Sequence, residues 1–276
     1  MIGLLLVTPA LLLLAALFVY PLGFSLVSAF TVEGAGDGGD RFGLFNFVNA
    51  YELYATDIAF TVLIVGLSTA LIGIFAVAIG GYLTLGEVGF AVALLRWLYR
   101  WPLFIPFIVA AQCMRTFLAK NGLMNNALSA AGLLEPLSAQ SFLDWRGIVI
   151  TFVWKQTPFV ALLVAGAMAS IDRSTIEAAR NLGASRLRAL IEIVVPQVHA
   201  ILVVGLVLSF VTMMSVLSVP MMISGNTPTM MTVDMAFRIN AYGDYGTANA
   251  LGFISYLLTG AVAWIYLRRG VREGPP

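Results

Sequence analysis

Lys155, in the segment Trp154-Lys155-Gln156-Thr157-Pro158-Phe159, stands inside a hydrophobic run of this 276-residue sequence. About eight residues into a membrane helix, its ammonium would lie roughly 12 Å deep at 1.5 Å per residue. A charge at that depth costs at least about 2.5–3.5 kcal/mol on insertion scales and faces a cavity or a partner group in preference to lipid. Two roles follow. Lys155 could stand beside a solute pathway where Pro158 opens the helix and frees a carbonyl, or it could be a structural lysine bonded to carbonyls or to another subunit. Gln156 and Thr157 beside it, and Met214 and Ser215 at the end of a later apolar run, are the accompanying pathway candidates. Methionine packs adaptably, so the cluster from Met213 to Met235 suits a reshaping wall as well as ordinary core packing.

Catalysis lacks its residues. A phosphate-binding loop needs a glycine-rich turn ending in Gly-Lys-Ser/Thr, and the two lysines, Lys120 and Lys155, follow Ala119 and Trp154. ATP, if used, must be hydrolysed on a separate subunit, which would also hold its magnesium. A single cysteine, Cys113, excludes an internal disulfide and a cysteine-cluster metal site, and a single histidine, His199, excludes a multi-histidine centre. No cofactor or metal is expected in this chain, and a net charge of +1 gives no argument for nucleic acid.

The longest polar interruption of the second half runs from Ser174 to Pro196. Ser174 with Glu177 reads as a capping box that starts a helix. Gly183 offers a left-handed stop. A second helix is expected near Ser185, with Leu187, Leu190, Ile191 and Val194 on one face and Arg188 and Glu192 four apart on the other. Pro196 is expected to close the unit. Two short helices with a bend, at a membrane surface between two spans, are predicted.

The elements that must carry these residues are apolar. Hydrophobic residues make up 60% of the sequence, charged residues 11%, and the mean hydropathy is +0.95, against roughly 25% charged for a soluble domain. The chain has room for about six spans of roughly 20 residues: 2–30, 58–85, 101–118, 147–170, 197–222 and one ending near Leu267. Nothing positive precedes the first run and it is too long for a signal-peptide core, so it is expected to be retained. Polar loops are expected at 32–56, 119–146 and 223–245, with Asp234 and Arg238 paired on a helix in the last. No loop is long enough for a soluble core, so residues 1–276 form one transmembrane domain.

Glu177-Ala178-Ala179, Gly183 four residues after Ala179, then Ile193 and Pro196 resemble the EAA loop of binding-protein-dependent ABC importer permeases, with Val195 where that family usually has leucine. Gly122-Leu123-Met124-Asn125 resembles the loop after that family's third span. Trp154–Phe159 is similar to its sugar-importer branch, and Glu177–Ser185 is closer to polyamine, phosphonate and iron importers. The resemblance implies an all-α membrane protein with six transmembrane helices and the MetI-like fold of type I importer permeases. It implies that Glu177, Ala178, Ala179, Arg180, Gly183 and Arg186 couple to a dimer of ATP-binding cassette subunits. It implies, too, a second permease chain, an extracytoplasmic solute-binding protein and alternating access. The solute would be a sugar or related small polar molecule. An ATP-independent secondary transporter is the rival class; it predicts intramembrane carboxylates and inverted repeats, and neither is found in the sequence.

Lysine and arginine set the orientation. With the Glu177 loop inside, nine arginines fall on the inner segments and five basic residues on the outer ones. Both termini are therefore expected in the cytoplasm of a bacterial inner-membrane protein.

Overall fold

The computed structural model describes residues 2–32, 41–86, 88–225 and 227–270. Glu33, Asp37, Asp40, Glu87, Asn226 and Arg272 lie outside the described residues. The chain is almost wholly helical: α1 (Ile2–Leu14), α2 (Tyr20–Phe30), α3 (Phe45–Leu85), α4 (Gly89–Leu98), α5 (Phe107–Leu118), α6 (Leu123–Ala130), α7 (Trp145–Ala169), α8 (Arg173–Asn181), α9 (Arg186–Ala189), α10 (Val195–Ser215), α11 (Ser218–Ile223), α12 (Met231–Phe237) and α13 (Tyr245–Gly270). Among the described residues, five helical runs are long and apolar enough to cross a membrane, or six if a bent pair counts as one span.

The bent pair is where the expected third span stood. Gly89–Phe104 and Phe107–Ala130 meet at 110°. With 12 residues, α5 is only about 18 Å long and cannot cross alone. Pro102 and Pro106 explain the break, since each lacks an amide donor and Pro106 disfavours a helical residue before it.

Hydropathy also misplaced several boundaries. Residues 45–56 belong to α3, whose 41 residues extend about 61 Å, twice the hydrocarbon core of ~30 Å. A polar helix continuing out of a bilayer reads as a loop to a hydropathy scan. The expected loops at 119–146 and 223–245 likewise contain α6 and α12. The fifth span ends at Ser215, because the backbone turns extended at Val216 before α11.

Prolines sit inside continuous helical runs at Pro9, Pro21, Pro158 and Pro196, and two of these share one device. Pro21 and Pro196 each follow a five-residue π-helical segment, Ala15–Val19 and Leu190–Val194. The wider turn absorbs the carbonyl that would otherwise clash with the ring. Pro196 therefore does not close the polar unit; Arg186–Ser215 is one helical run of 30 residues.

Two compact units can be distinguished, residues 1–59 with 230–258 and residues 60–229 with 259–276. In the first, β1 (Thr31–Val32) pairs antiparallel with β2 (Arg41–Phe42). Its core is made of small side chains, Ala29, Ala50 and Ala250, with Leu251. Buried Asn46 donates to the carbonyls of Ala29 (3.1 Å) and Thr31 (2.9 Å), satisfying acceptors left at the end of α2.

In the second unit α7 is the central element, with Ile148, Phe152, Val160 and Val164 fully buried. It packs along α10, where Gly205 lies against Val160, and against α5 and the 3-10 turn Trp101–Phe104. Its buried set nevertheless includes the polar side chains of Thr151, Lys155, Gln156 and Thr157.

Candidate functional site

The hairpin of α8 and α9 is specified locally at every turn. Asp172, two residues before the expected start, caps α8: its carboxylate accepts from the Ser174 amide (2.9 Å) and the Ser174 hydroxyl (2.7 Å). These two bonds hold the Asp172 carboxyl below its ordinary range. Glu177 is therefore not the third residue of a capping box, and the cap belongs to Asp172. Gly183 ends the helix at φ +88°. The amides of Gly183 and Ala184 bond to the carbonyls of Arg180 (2.9 Å) and Ala179 (3.0 Å), the paired bonds of a Schellman stop. A Cβ on Gly183 would meet nothing within 4 Å, so the constraint is backbone conformation and not space.

Ser185 caps the next helix, accepting from the Arg188 amide at 3.3 Å. Arg188 Nε donates to both oxygens of Glu192 at 3.0 Å. The hairpin is pinned by Ile176 and Ala189, both buried, whereas Leu182 (90% exposed), Leu187 and Ile191 present apolar side chains outward. The expected apolar face is thus buried only at its far end, at Val194. Three large apolar side chains are thus exposed on a charged hairpin.

Glu177, Arg180 and Arg186 come together on the wall of a cavity of about 690 Å³, with Arg96, Arg100 and Arg173. Ala178 is exposed and Ala179 half-buried, while Gly183 stands at the bend away from the cavity. Arg96 and Arg100 belong to the nine arginines of the inner segments, and nothing in their sequence spacing marks them for this wall. They share this wall with Arg173, Glu177 and Arg180 of α8.

Lys155 is 6% exposed and donates from Nζ to the carbonyl of Leu103 at 3.3 Å, 5.1 Å from the centre of the Phe107 ring. Both partners flank the 110° break, whose freed backbone acceptor is what the ammonium satisfies. This contact is the carbonyl-bonded arrangement that stood as the alternative to a pathway lysine. Gln156 and Thr157 are buried on α7 and Met214 on α10, whereas Ser215 is exposed and donates to the Thr212 carbonyl at 2.9 Å. Thr157 also lines an apolar groove of about 530 Å³ with Leu71, Phe75, Leu98, Trp154 and Pro158. The buried hydroxyls of Ser68, Thr157 and Ser209 have no hydrogen-bond partner among the described residues.

In the first unit the expected Asp234–Arg238 pair does not form. Arg238 turns instead to the Tyr54 hydroxyl (2.6 Å) and to Asp244 (3.4 Å). Asp234 Oδ2 is buried without a partner. Burial, with the negative charge of Asp57, pushes the Asp234 carboxyl up to about 7 against the opposing effect of Arg238.

Comparison with known proteins follows this geometry. Residues 89–268 match the family described as "Binding-protein-dependent transport system inner membrane component". The chain is similar to the sulfoquinovosyl glycerol transport system permease protein SmoG of Agrobacterium fabrum, 28% identical over 63% of this chain and 60% of SmoG. It is 29% identical to the trehalose/maltose transport system permease protein MalF of Thermococcus litoralis, over 80% of this chain and 74% of MalF. It is 28% identical to the sn-glycerol-3-phosphate transport system permease protein UgpA of Yersinia pestis, over 88% of this chain and 83% of UgpA. Among solved structures, a chain of a bacterial ABC transporter involved in the import of the acidic polysaccharide alginate shares the fold. Its TM-score is 0.79 at 20% identity, over 99% of this chain and 96% of that one.

Proposed function

The chain belongs to the family of binding-protein-dependent transport system inner membrane components, and on that premise we propose that it couples solute passage to a partner ATPase through the 172–194 hairpin. As a multi-pass inner-membrane permease it needs a surface that can transmit movement. The observation that carries the reading is the hairpin itself: capped at Asp172 and Ser185, turned at Gly183, and exposing Leu182, Leu187 and Ile191. A rigid, self-capped element can pass on a push without melting. Two nucleotide-binding subunits would close on ATP and magnesium, draw the hairpin with them and tilt α7 and α10.

A second permease chain would complete the pathway and an extracytoplasmic binding protein would deliver the solute. Gln156, Met214 and Ser215 on the α7–α10 pair are proposed to line the path, with Lys155 holding the broken helix beside it and Thr157 turned to the apolar groove. The relatives' named solutes, a trehalose or maltose, a sulfoquinovosyl glycerol and a glycerol phosphate, support a sugar or polyol derivative as the class carried. Both termini and the hairpin are proposed to be cytoplasmic.

Gly183→Asp in membranes tests the coupling claim. Expression is expected to be normal, with the ATPase subunit and uptake lost; full subunit retention with normal uptake would overturn it. For orientation, a cysteine at Ser185 in a Cys113→Ser background is expected to resist an impermeant thiol reagent in intact cells. Labelling there would place the hairpin outside.

A further inference from the structure

The cavity behind the hairpin and the apolar groove lie in tandem along the same two helices. Leu83 and Thr84 of α3 line the cavity, and Leu71, Phe75 and Ile79 of the same helix line the groove. On α7, Leu162 to Ala169 border the first, and Val149 to Pro158 border the second. The buried ring of Tyr99 stands in the wall of both, and α4 and the turn after it supply Arg96 and Arg100 to one and Leu95 and Leu98 to the other. One site is cationic and the other almost wholly apolar. Together they have the shape of one amphiphile with a charged end.

We propose that this pair of cavities is a binding site for one anionic phospholipid, its phosphate held by Arg96, Arg100 and Arg173 and an acyl chain laid in the groove. Five arginines and one carboxylate, Glu177, line the cavity. Among the described residues Arg96 and Arg173 make no ion pair. The guanidinium fork matches phosphate oxygens in pairs, and basic pockets between membrane helices take anionic headgroups. Two exposed aromatic side chains beside the arginines fit a site at headgroup level. Trp97 and Trp101, exposed and packed edge to face at 4.9 Å, flank the arginines as interfacial aromatics do. From Leu71 to Ile79 the groove runs about 12 Å along α3, close to the roughly 15 Å depth of one leaflet. The carboxylates of a protein partner could satisfy the arginines but would leave the groove empty.

Native mass spectrometry of the full chain, purified with the subunits it retains, tests this with phosphatidylglycerol, phosphatidylcholine and inorganic phosphate as probes. The wild type is expected to hold one phosphatidylglycerol in preference to phosphatidylcholine, and millimolar phosphate is not expected to release it. Arg96→Gln with Arg100→Gln is expected to weaken retention about tenfold or more, since each basic residue near an anionic surface counts for several-fold. Leu98→Trp, which narrows the groove with every charge intact, is expected to weaken it too, while Arg115→Gln on α5 leaves it unchanged. Equal retention of the two lipids, release by phosphate, or undiminished retention in either the arginine or the Leu98 variant would overturn the proposal. So would crosslinking of Leu98→Cys to a second permease chain, which would show the groove filled by protein.

Discussion

The 172–194 hairpin and the break at Leu103–Phe107 are both polar interruptions in an apolar chain, and they are built by opposite means. The hairpin satisfies its helix ends with its own neighbours: Asp172 bonds two residues ahead, Ser185 three ahead, and the carbonyls at the stop are met by Gly183 and Ala184. The break is satisfied from 52 residues away, by the Lys155 ammonium on Leu103. Self-contained capping needs nothing from the rest of the fold and leaves Leu182, Leu187 and Ile191 exposed. Remote capping ties the broken helix to α7, so the two must move together.

The comparison is tested most severely at Lys155. Lys155→Met keeps most of the stem and removes the donor, leaving a part-buried carbonyl without its bond at a cost of about 1 kcal/mol. Lower thermal stability and poorer assembly in detergent are expected. Wild-type stability with altered uptake would instead place the lysine on the solute path.

Two glycines sharpen the contrast. Gly147→Ala, at the start of α7, would push a Cβ into the carbonyl of Phe142 and the Ile223 side chain, so about 1–3 kcal/mol of destabilisation is expected. Gly183→Ala has open space and is strained only by φ, about 1–2 kcal/mol. Its effect should fall on hairpin protection in hydrogen exchange and leave global melting nearly unchanged. Equal global losses for both would erase the distinction between local and remote construction.

Asp234 offers a buried polar group with neither kind of support. Its folded-state pKa is about 7 against an ordinary 3.8, so between those values the unfolded chain binds fewer protons than the folded one. Stability should therefore decline as pH rises from about 4 to about 7 and level off above. Asp234→Asn should melt like the wild type near pH 4 and progressively above it toward pH 7. A constant difference across that range would remove the carboxyl from the account.

The smallest effect belongs to the exposed pair. Arg188→Ala breaks a bond between side chains that are 65% and 57% exposed, and about 0.3–0.5 kcal/mol is expected. Melting of the hairpin's protection on this change would mean that the ion pair, and not the caps, holds it.

In the hairpin the Gly183 stop and the Ser185 start were legible in the sequence, and the four-residue spacing of Arg188 and Glu192 allows the bond they make, because all three depend on residues within four positions. Two expectations there failed: the cap at Ser174, because Asp172 takes the Ser174 amide from two residues earlier, and the close at Pro196, because a π-helical segment carries the helix through it. The all-helical class was legible from composition, since a bilayer demands long apolar runs whatever their packing; the six expected spans compare with five apolar helical runs among the described residues, or six if the bent pair is one span. The protruding start of α3 was not, because polar residues look alike in a helix and in a loop.

What only the tertiary structure decided is which distant groups meet. Nothing near Lys155 in the sequence names the Leu103 carbonyl. Nothing near Arg238 predicts that it leaves Asp234 for Tyr54, 184 residues away. The alignment of a basic cavity and an apolar groove around Tyr99 depends on how α3, α4 and α7 lie together. Local hydrogen bonds are short-range and written in adjacent residues. Buried polar partners are chosen by packing, because a desolvated donor takes whichever acceptor the fold brings within reach.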